Sequence, residues 1–205
     1  FDAFTEFNPN CTPDGAPGPL VSNPKDCYNP GNYDGKFRGP VTLRQALAQS
    51  LNIPSVKLLY LAGIQDSIKT AQNAGINTLT EPDRYGLSLV LGGAEVKLME
   101  MVSAFGVFSQ EGVLHPPTAI LRIETSSGLL WEEKKEKSLP VLDTEIARTI
   151  NDVLSDNAAR VPVFSPTSSL YFPGRSVAAK TGTTQESRDA WVVGYTPSLV
   201  TGVWV

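Results

Sequence analysis

The stretch of this sequence with the clearest chemical character is Lys180-Thr181-Gly182-Thr183, a cation followed by a hydroxyl, a position without a side chain and a second hydroxyl. It follows the largely apolar segment 176–179, so the pattern predicts that it ends a β-strand. Because strand side chains alternate between two faces, Lys180 and Gly182 share one face, and Thr181 and Thr183 share the other. Gly182 would let a ligand approach the backbone closely beside the cation.

Two interpretations of this stretch are open. A strand edge of this kind suits an extended peptide, since the backbone pairs with the peptide while the ammonium holds a carboxylate. A surface strand that ends in a polar turn would carry the same residues, and so short a motif also occurs by chance. The function of the stretch therefore depends on what else the chain contains.

A second candidate pair is Ser50 and Asn52, which lie where a helix is expected to break. Pro54 predicts the break, because the residue before a proline is pushed out of the helical region. A turn between two helices would present both side chains to one cleft, where a hydroxyl can pass on a proton and a carboxamide can bind a peptide group. The alternative is a Ser/Asn pair that only caps the helix ends.

These residues need elements that position them, and apolar periodicity predicts several helices. The first has Thr42 as its N-cap and repeats apolar side chains at Leu43, Ala46 and Leu47. A second helix ends at Gly63, with Val56, Leu58, Leu59 and Leu61 inward, and a third covers 65–74. A helix over 94–110 is apolar on nearly all sides and is expected to be buried. An amphipathic helix over 143–155 is capped by Asp143 or Thr144.

Strand patterns dominate the last third of the chain. Consecutive strands with short connections are expected to be antiparallel neighbours, so we predict an α+β domain with helices packed on an antiparallel sheet. The predicted strands are a hairpin over 118–124 and 128–131, and three C-terminal strands over 176–181, 189–195 and 199–205, the last with the composition of a buried strand.

The length and composition of the chain limit the classes of protein to which it can belong. The 205 residues, of which 41% are hydrophobic and 19% charged, fit one domain with a sizeable core. We divide it into a loop-rich segment 1–40, a helical part 41–115 and a mixed part 116–205. A net charge of -4 without a Lys/Arg cluster argues against a nucleic-acid partner, and no apolar run approaches the length of a membrane helix.

The cysteines and the single histidine do not follow a metal-binding pattern, so no metal or other cofactor is expected. Cys11 and Cys27 flank a Pro/Gly-rich segment and form either a disulfide, if the protein is extracytoplasmic, or two free thiols.

Together, the two motifs resemble two of the three signatures of the penicillin-recognising serine acyltransferases. Over about residues 28 to 205, the chain resembles the transpeptidase domain of class A penicillin-binding proteins, with the matching segments in the same order along the sequence. It implies the fold that β-lactamases share with these transpeptidases. The segments that carry the resemblance are NPGNYDGKFRGPVTLR (29–44), AQSLNIPSVK (48–57), LGGAEV (91–96), AKTGTT (179–184) and DAWVVGYTP (189–197).

The reaction implied by the resemblance is an acyl transfer. A serine attacks the D-Ala-D-Ala bond of a peptidoglycan stem peptide, and the amine of a neighbouring stem takes the acyl group. β-Lactams mimic the donor. The implied residue roles are proton transfer by Ser50, binding of the donor amide by Asn52, tuning of Ser50 by Lys180, and donor binding at Thr181, Gly182 and Thr183, with the Thr183 N–H as an oxyanion donor.

The resemblance also implies a setting for the parent protein. It would lie on the extracytoplasmic face of the bacterial cell membrane, held by an N-terminal anchor and preceded by a glycosyltransferase domain. Its partners would be stem peptides and β-lactam antibiotics, without nucleic acid.

One departure from the family pattern concerns the nucleophile, which should lie in an S-x-x-K motif on a helix. The only such motif here is Ser22 with Lys25, and its interior Pro24 argues that it is a chance match. The chain also begins at Phe1 without Met and ends within an apolar strand pattern, as a fragment would. We therefore expect the nucleophile upstream of Phe1 and an inactive isolated fragment.

Two other functions fit the same motifs. A non-catalytic module that binds β-lactams or muropeptides would lack the nucleophile altogether. A hydrolase of the same superfamily, either a D,D-carboxypeptidase or a β-lactamase, would transfer the acyl group to water.

Overall fold

The computed structural model describes residues 19, 30–132, 138–184 and 188–205. The predicted Ser22–Lys25 motif and the cysteine pair lie outside these residues. The helices are α1 (Leu43–Ala48), α2 (Asn52–Ala62), α3 (Ile64–Asn73), α4 (Leu98–Ser109), α5 (Thr144–Ser155) and α6 (Asn157–Phe164), with short 3-10 turns at Pro82–Arg84 and Leu87–Leu91. The strands are β1 (Val113–Leu114), β2 (Arg122–Thr125), β3 (Gly128–Glu132), β4 (Leu139–Pro140), β5 (Ala178–Thr183), β6 (Ala190–Thr196) and β7 (Leu199–Trp204).

The main sheet is the antiparallel meander β5-β6-β7. Lys180 lies opposite Val193 in β6, and Val193 lies opposite Gly202 in β7. The pairs β1-β4 and β2-β3 form two further small antiparallel sheets. The predicted α+β class and the order of the C-terminal strands are confirmed.

Helices α4 and α5 cover one face of this sheet. Leu154 of α5 packs there with the buried Ala178 and Tyr195. The Tyr195 hydroxyl donates to Asn151 Oδ1 at 2.8 Å, and Asn151 Nδ2 donates to the Phe108 carbonyl at 2.8 Å. Because buried polar groups need partners, this chain of hydrogen bonds fixes β6 to both helices.

Strand β7 approaches α4 closely at a glycine. A Cβ added to Gly202 would lie 2.4 Å from Val102 Cγ2 and 3.2 Å from Leu98 Cδ1. Only a residue without a side chain fits this distance, so Gly202 sets how near the sheet lies to the helix.

The first helix ends close to Ser50, as expected, but Asn52, Ile53 and Pro54, which were predicted to form the break, begin the second helix. Thr42 caps α1 in a capping box with Gln45, as expected at this end. The chain turns at Ser50, however, and Ile53 and Pro54 are both within the first turn of α2. Pro54 is tolerated there because the first N–H groups of a helix have no partner within the helix.

Several side chains predicted to lie inward are exposed. Leu58 is 50% exposed and Leu61 79%, so these two assignments were wrong, and Leu43 of the apolar repeat in α1 is 67% exposed. The helix predicted over 94–110 begins only at Leu98; within it Ala104 and Val107 are buried and none of residues 101–109 is exposed. Strand β7 was expected to be buried, but Leu199, Val203 and Trp204 are exposed.

The other helix and hairpin predictions are mostly confirmed. Asp143 caps α5 through the N–H groups of Glu145 and Ile146, and the β2-β3 hairpin turns at residues 126–127. Helix α6 was not predicted, because it contains Pro162. Its first turn is held by Asp156, whose carboxylate accepts from the Ala159 N–H at 2.9 Å. None of the described helices combines the length and the apolar character that a membrane span requires.

Candidate functional site

The centre of the site is a hydrogen bond between two sequence motifs. Lys180 Nζ donates to Ser50 Oγ at 2.6 Å, although the two residues are 130 positions apart in the chain. This contact joins the turn between α1 and α2 to strand β5. The two predicted motifs therefore form one site.

The turn holds Ser50 in an unusual backbone conformation. Its φ is 57°, in the left-handed region that costs a residue with a side chain about 1–2 kcal/mol. The flanking residues Gln49 and Leu51 are buried, and Gln49 Nε2 donates to the Ala159 carbonyl at 3.1 Å. The Leu51 N–H donates to the Ala46 carbonyl at 2.9 Å. These contacts offset the strain and aim the hydroxyl at Lys180.

Lys180 is suited to proton exchange. Its Nζ makes a second hydrogen bond to the Thr181 carbonyl at 2.6 Å. Burial, with a smaller contribution from the Arg160 cation, lowers the pKa of Lys180 to about 8. Near neutral pH, a group with this pKa can give up and regain a proton readily, and Ser50 lies within reach to pass it on.

The side chain of Asn52 hydrogen-bonds to the segment that contains Gly31 and Asn32, not to Ser50 or Lys180. Its Nδ2 donates to the Gly31 carbonyl at 2.9 Å, and the neighbouring Ile53 N–H donates to Asn32 Oδ1 at 3.2 Å. A carboxamide has two N–H donors and one acceptor oxygen, so this contact uses one donor and orients the group. The structure thus brings Ser50 and Lys180 together, and ties Asn52 to the segment at Gly31 and Asn32.

Strand β5 presents an edge that no other described strand covers. Thr183 lies opposite Ala190, while the Thr184 N–H donates to the Asp189 carbonyl at 3.1 Å. In an antiparallel ladder, bonded and non-bonded pairs alternate. The backbone N–H and C=O groups of Thr181 and Thr183 therefore point away from β6, toward the open edge.

Gly182 lies between these two threonines and is exposed. A Cβ placed on it would meet Trp191 Cβ at 3.5 Å, an ordinary contact. The bare backbone predicted from the sequence is present at the rim of the site.

The end of β5 is held by Asp189, a residue that the sequence analysis did not assign to the site. Its carboxylate accepts from Thr184 Oγ1 and from Trp204 Nε1, both at 2.9 Å. The Asp189 N–H donates in turn to Thr184 Oγ1 at 2.9 Å. One carboxylate thus ties the residue after Thr183 to strand β7.

Arg160 is a second residue that the sequence analysis missed. It is 2% exposed and lines the same narrow cavity as Ser50 and Lys180. The available signal was a lone arginine within the otherwise apolar run 158–164. Over the described part of the chain, no group of three or more His, Cys, Asp or Glu residues could hold a metal ion.

Comparison with known proteins gives a family match over nearly the whole chain. The family model described as the penicillin binding protein transpeptidase domain matches residues 7–205. Penicillin-binding protein 1A of Aquifex aeolicus is 36% identical over 181 residues, which cover 86% of this chain and 23% of that relative. Penicillin-binding protein 1C of Escherichia coli is 32% identical over 178 residues, covering 86% of this chain and 21% of that relative.

Solved structures agree with this match. The penicillin-binding protein PonA1 from Mycobacterium tuberculosis gives a TM-score of 0.73 at 28% identity, covering 86% of this chain and 50% of that one. Penicillin binding protein 3 from the same organism, complexed with aztreonam, gives a TM-score of 0.74 at 19% identity, covering 87% and 48%, and supports the fold alone. The chain spans about a quarter of the length of these curated relatives.

Proposed function

Because the chain belongs to the transpeptidase family of class A penicillin-binding proteins, we propose that it forms the proton-transfer and donor-binding part of a D-Ala-D-Ala acyl-transfer site. The observation that carries this proposal is the 2.6 Å hydrogen bond from Lys180 Nζ to Ser50 Oγ. The product is a cross-link between two peptidoglycan stem peptides.

The first half of the reaction forms an acyl-enzyme. A serine hydroxyl gives up its proton to the Lys180–Ser50 pair as its oxygen bonds to the carbonyl carbon of the penultimate D-Ala, and the bond from that carbon to the nitrogen of the terminal D-Ala breaks. The departing nitrogen needs a proton, which Ser50 donates while Lys180 returns one to Ser50. In the second half, the amine of an acceptor stem attacks the acyl-enzyme, loses a proton and releases the serine.

The donor peptide binds along the open edge of β5. Its backbone pairs with the outward N–H and C=O groups near Thr181 and Thr183. The Thr183 N–H stabilises the oxyanion of the tetrahedral intermediate, a contribution of about 3 kcal/mol for such a backbone donor. Lys180 and the threonine hydroxyls hold the donor carboxylate, and Gly182 lets the peptide approach the strand.

Asn52 holds the amide of the donor. Its contact with the Gly31 carbonyl supports this role, because it fixes the plane of the carboxamide beside the turn that carries Ser50. The amide oxygen and the second N–H are the groups through which a carboxamide binds a peptide.

The serine nucleophile comes from a part of the parent protein that precedes this chain. The relatives are about four times longer than the matched region, which leaves room for it. The same length accommodates a glycosyltransferase domain and a membrane anchor that place the site on the extracytoplasmic face of the cell membrane. The isolated 205-residue chain is then inactive.

A fluorescent penicillin tests this proposal, since β-lactams acylate the nucleophile of such enzymes. We expect covalent labelling of a longer protein that contains this chain and none of the 205-residue chain alone. Lys180→Met and Ser50→Ala in the longer protein should slow labelling at least tenfold, whereas Arg122→Gln, a change on the exposed β2-β3 hairpin, should not.

Three other outcomes of the labelling experiment would contradict the proposal. Labelling of the isolated chain would refute an upstream nucleophile. Reversible penicillin binding without acylation of the longer protein would favour the non-catalytic binding module. Rapid turnover of the β-lactam would instead identify a hydrolase.

A further inference from the structure

Arg160 in α6 is a buried cation that contacts no carboxylate among the residues that the structure describes. It is 2% exposed, and its guanidinium donates to three backbone carbonyls, those of Leu154, Leu170 and Ala179. The contact with Leu170 is 3.2 Å and that with Ala179 is 3.4 Å. Burying a charge is costly unless polar partners replace water, so these three contacts offset a cost that a purely apolar residue would not incur.

The three carbonyls come from three different segments. Leu154 is at the end of α5, Leu170 is in the loop after α6, and Ala179 is in β5 immediately before Lys180. The planar fork of an arginine can bind several acceptors in fixed directions, which a lysine cannot do. Arg160 therefore sets the distance between β5 and the helices behind it.

Arg160 also places a second positive charge beside Lys180. Among the described residues, Lys180 faces two uncharged groups, the Ser50 hydroxyl from the turn between α1 and α2 and the Thr181 carbonyl, and one charged group, Arg160 from α6. Burial lowers the pKa of Arg160, whereas the negative charge of Asp156, the N-cap of α6, acts to raise it. Asp156 is itself paired with Arg44 at 3.0 Å. Repulsion from Arg160 therefore adds to burial in favouring the neutral amine of Lys180.

The contact with Ala179 has a further consequence for the open edge of β5. By the alternation of the ladder, the Ala179 carbonyl points toward that edge, as the Thr181 carbonyl does. Arg160 occupies the first of these acceptors and Lys180 Nζ occupies the second. With the Ala179 and Thr181 carbonyls occupied, the next outward acceptor on this edge is the Thr183 carbonyl, so an extended peptide has to pair around Thr183, at the reacting centre.

We propose that Arg160 is a positioning residue for Lys180: its guanidinium anchors the carbonyl that precedes Lys180, keeps a second positive charge beside the ammonium, and closes the open edge of β5 at Ala179. The use of Lys180 in acyl transfer rests on the proposed function. The arrangement itself concerns only groups of this chain and can be measured without the reaction.

The test is NMR titration of the Lys180 side chain in the 205-residue chain. In Arg160→Met the acid dissociation constant of the Lys180 ammonium should fall roughly tenfold, because one nearby like charge is removed. Arg122→Met, which removes an exposed arginine from the β2-β3 hairpin, is the matched control and should leave the Lys180 titration unchanged. An unchanged titration of Lys180 in folded Arg160→Met would overturn the proposed influence of the charge.

Arg160→Lys provides a second variant if the neutral one does not fold. It keeps a positive charge but cannot span three carbonyls. The Lys180 titration should stay close to that of the unchanged chain, while amide exchange of β5 should become severalfold faster relative to that of the β2-β3 hairpin. Unchanged exchange in β5 would refute the anchoring role. Failure of penicillin labelling in the longer protein would reject the proposed function. The Lys180 titration and the amide exchange of β5 would still test the role of Arg160.

Discussion

Ser50 Oγ and Lys180 Nζ lie 2.6 Å apart and join the helical part of the chain to the edge strand of its sheet. The hydroxyl is held on a strained turn, and burial together with the nearby Arg160 cation favours the neutral form of the Lys180 amine. Both features cost stability and both favour proton transfer. Such a combination is typical of functional sites, where local strain and altered pKa values cluster.

Lys180 should make the stability of the chain depend on pH. Burial lowers the pKa of Lys180 in the folded chain from 10.5 to about 8, so between these values the unfolded chain binds more protons. Stability should therefore rise with pH across this window, by up to ~3 kcal/mol, and the full cost of the buried ammonium applies below pH 8. Urea unfolding from pH 7 to 10.5 measures this change.

The comparison with Lys180→Met isolates the contribution of this one group. As pH rises through this window, the free energy of unfolding of the unchanged chain should increase relative to that of Lys180→Met. Lys69→Met, which removes an exposed ammonium from α3, is the control for loss of a positive charge. A difference that stays constant with pH would contradict the proposed cost of burial.

Ser50 offers a separate test of backbone strain. Ser50→Gly and Ser50→Ala both remove the hydroxyl and differ only in the Cβ atom. Because φ is 57° at this position, the glycine variant should be the more stable by about 1 kcal/mol. Thermal or urea unfolding gives the difference. Equal stabilities would mean that the turn is not strained.

Asp189 should affect both stability and reaction. Asp189→Ala removes the acceptor shared by Thr184 and Trp204, which should cost about 1–3 kcal/mol and loosen the end of β5 next to Thr183. Penicillin acylation of the longer protein should slow roughly tenfold, as expected when an oxyanion donor is less well positioned.

Trp204→Phe removes only the indole donor to Asp189 and should have a smaller effect on acylation than Asp189→Ala. If both variants acylate at the unchanged rate, the carboxylate does not position Thr183.

Gly202 should resist substitution for a steric reason. Gly202→Ala places a Cβ 2.4 Å from Val102 Cγ2, so β7 must move away from α4 at a cost of about 1–3 kcal/mol. Gly194→Ala is the matched control in the adjacent strand, because its added Cβ would meet atoms no nearer than 3.9 Å. Similar losses from both variants would show that the tight contact is not the cause.

The sequence predicts those features that depend on neighbouring residues. Thr42 was predicted as one helix cap, and Asp143 or Thr144 as another, because a capping side chain bonds to N–H groups two or three residues away. The meander β5-β6-β7 follows from consecutive apolar strands with short connections. The two chemical motifs were recognised for the same reason, since each lies within four residues.

Tertiary structure decided what depends on residues far apart in the chain. Pro54 predicted that residues 52–54 break the helix, yet they form the first turn of α2, and the chain turns at Ser50 between the buried Gln49 and Leu51. Leu58 and Leu61 are as apolar as their buried neighbours, and only the position of the surrounding elements leaves them exposed.

The same division holds for the site. Its motifs, Ser50 with Asn52 and the stretch that begins at Lys180, are determined by the sequence alone. That Lys180 reaches Ser50, and that Arg160 and Asp189 hold β5 in place, was decided by the fold. The physical reason is that hydrogen bonds and burial act over a few ångströms in space, whereas sequence patterns report only on residues that are near each other along the chain.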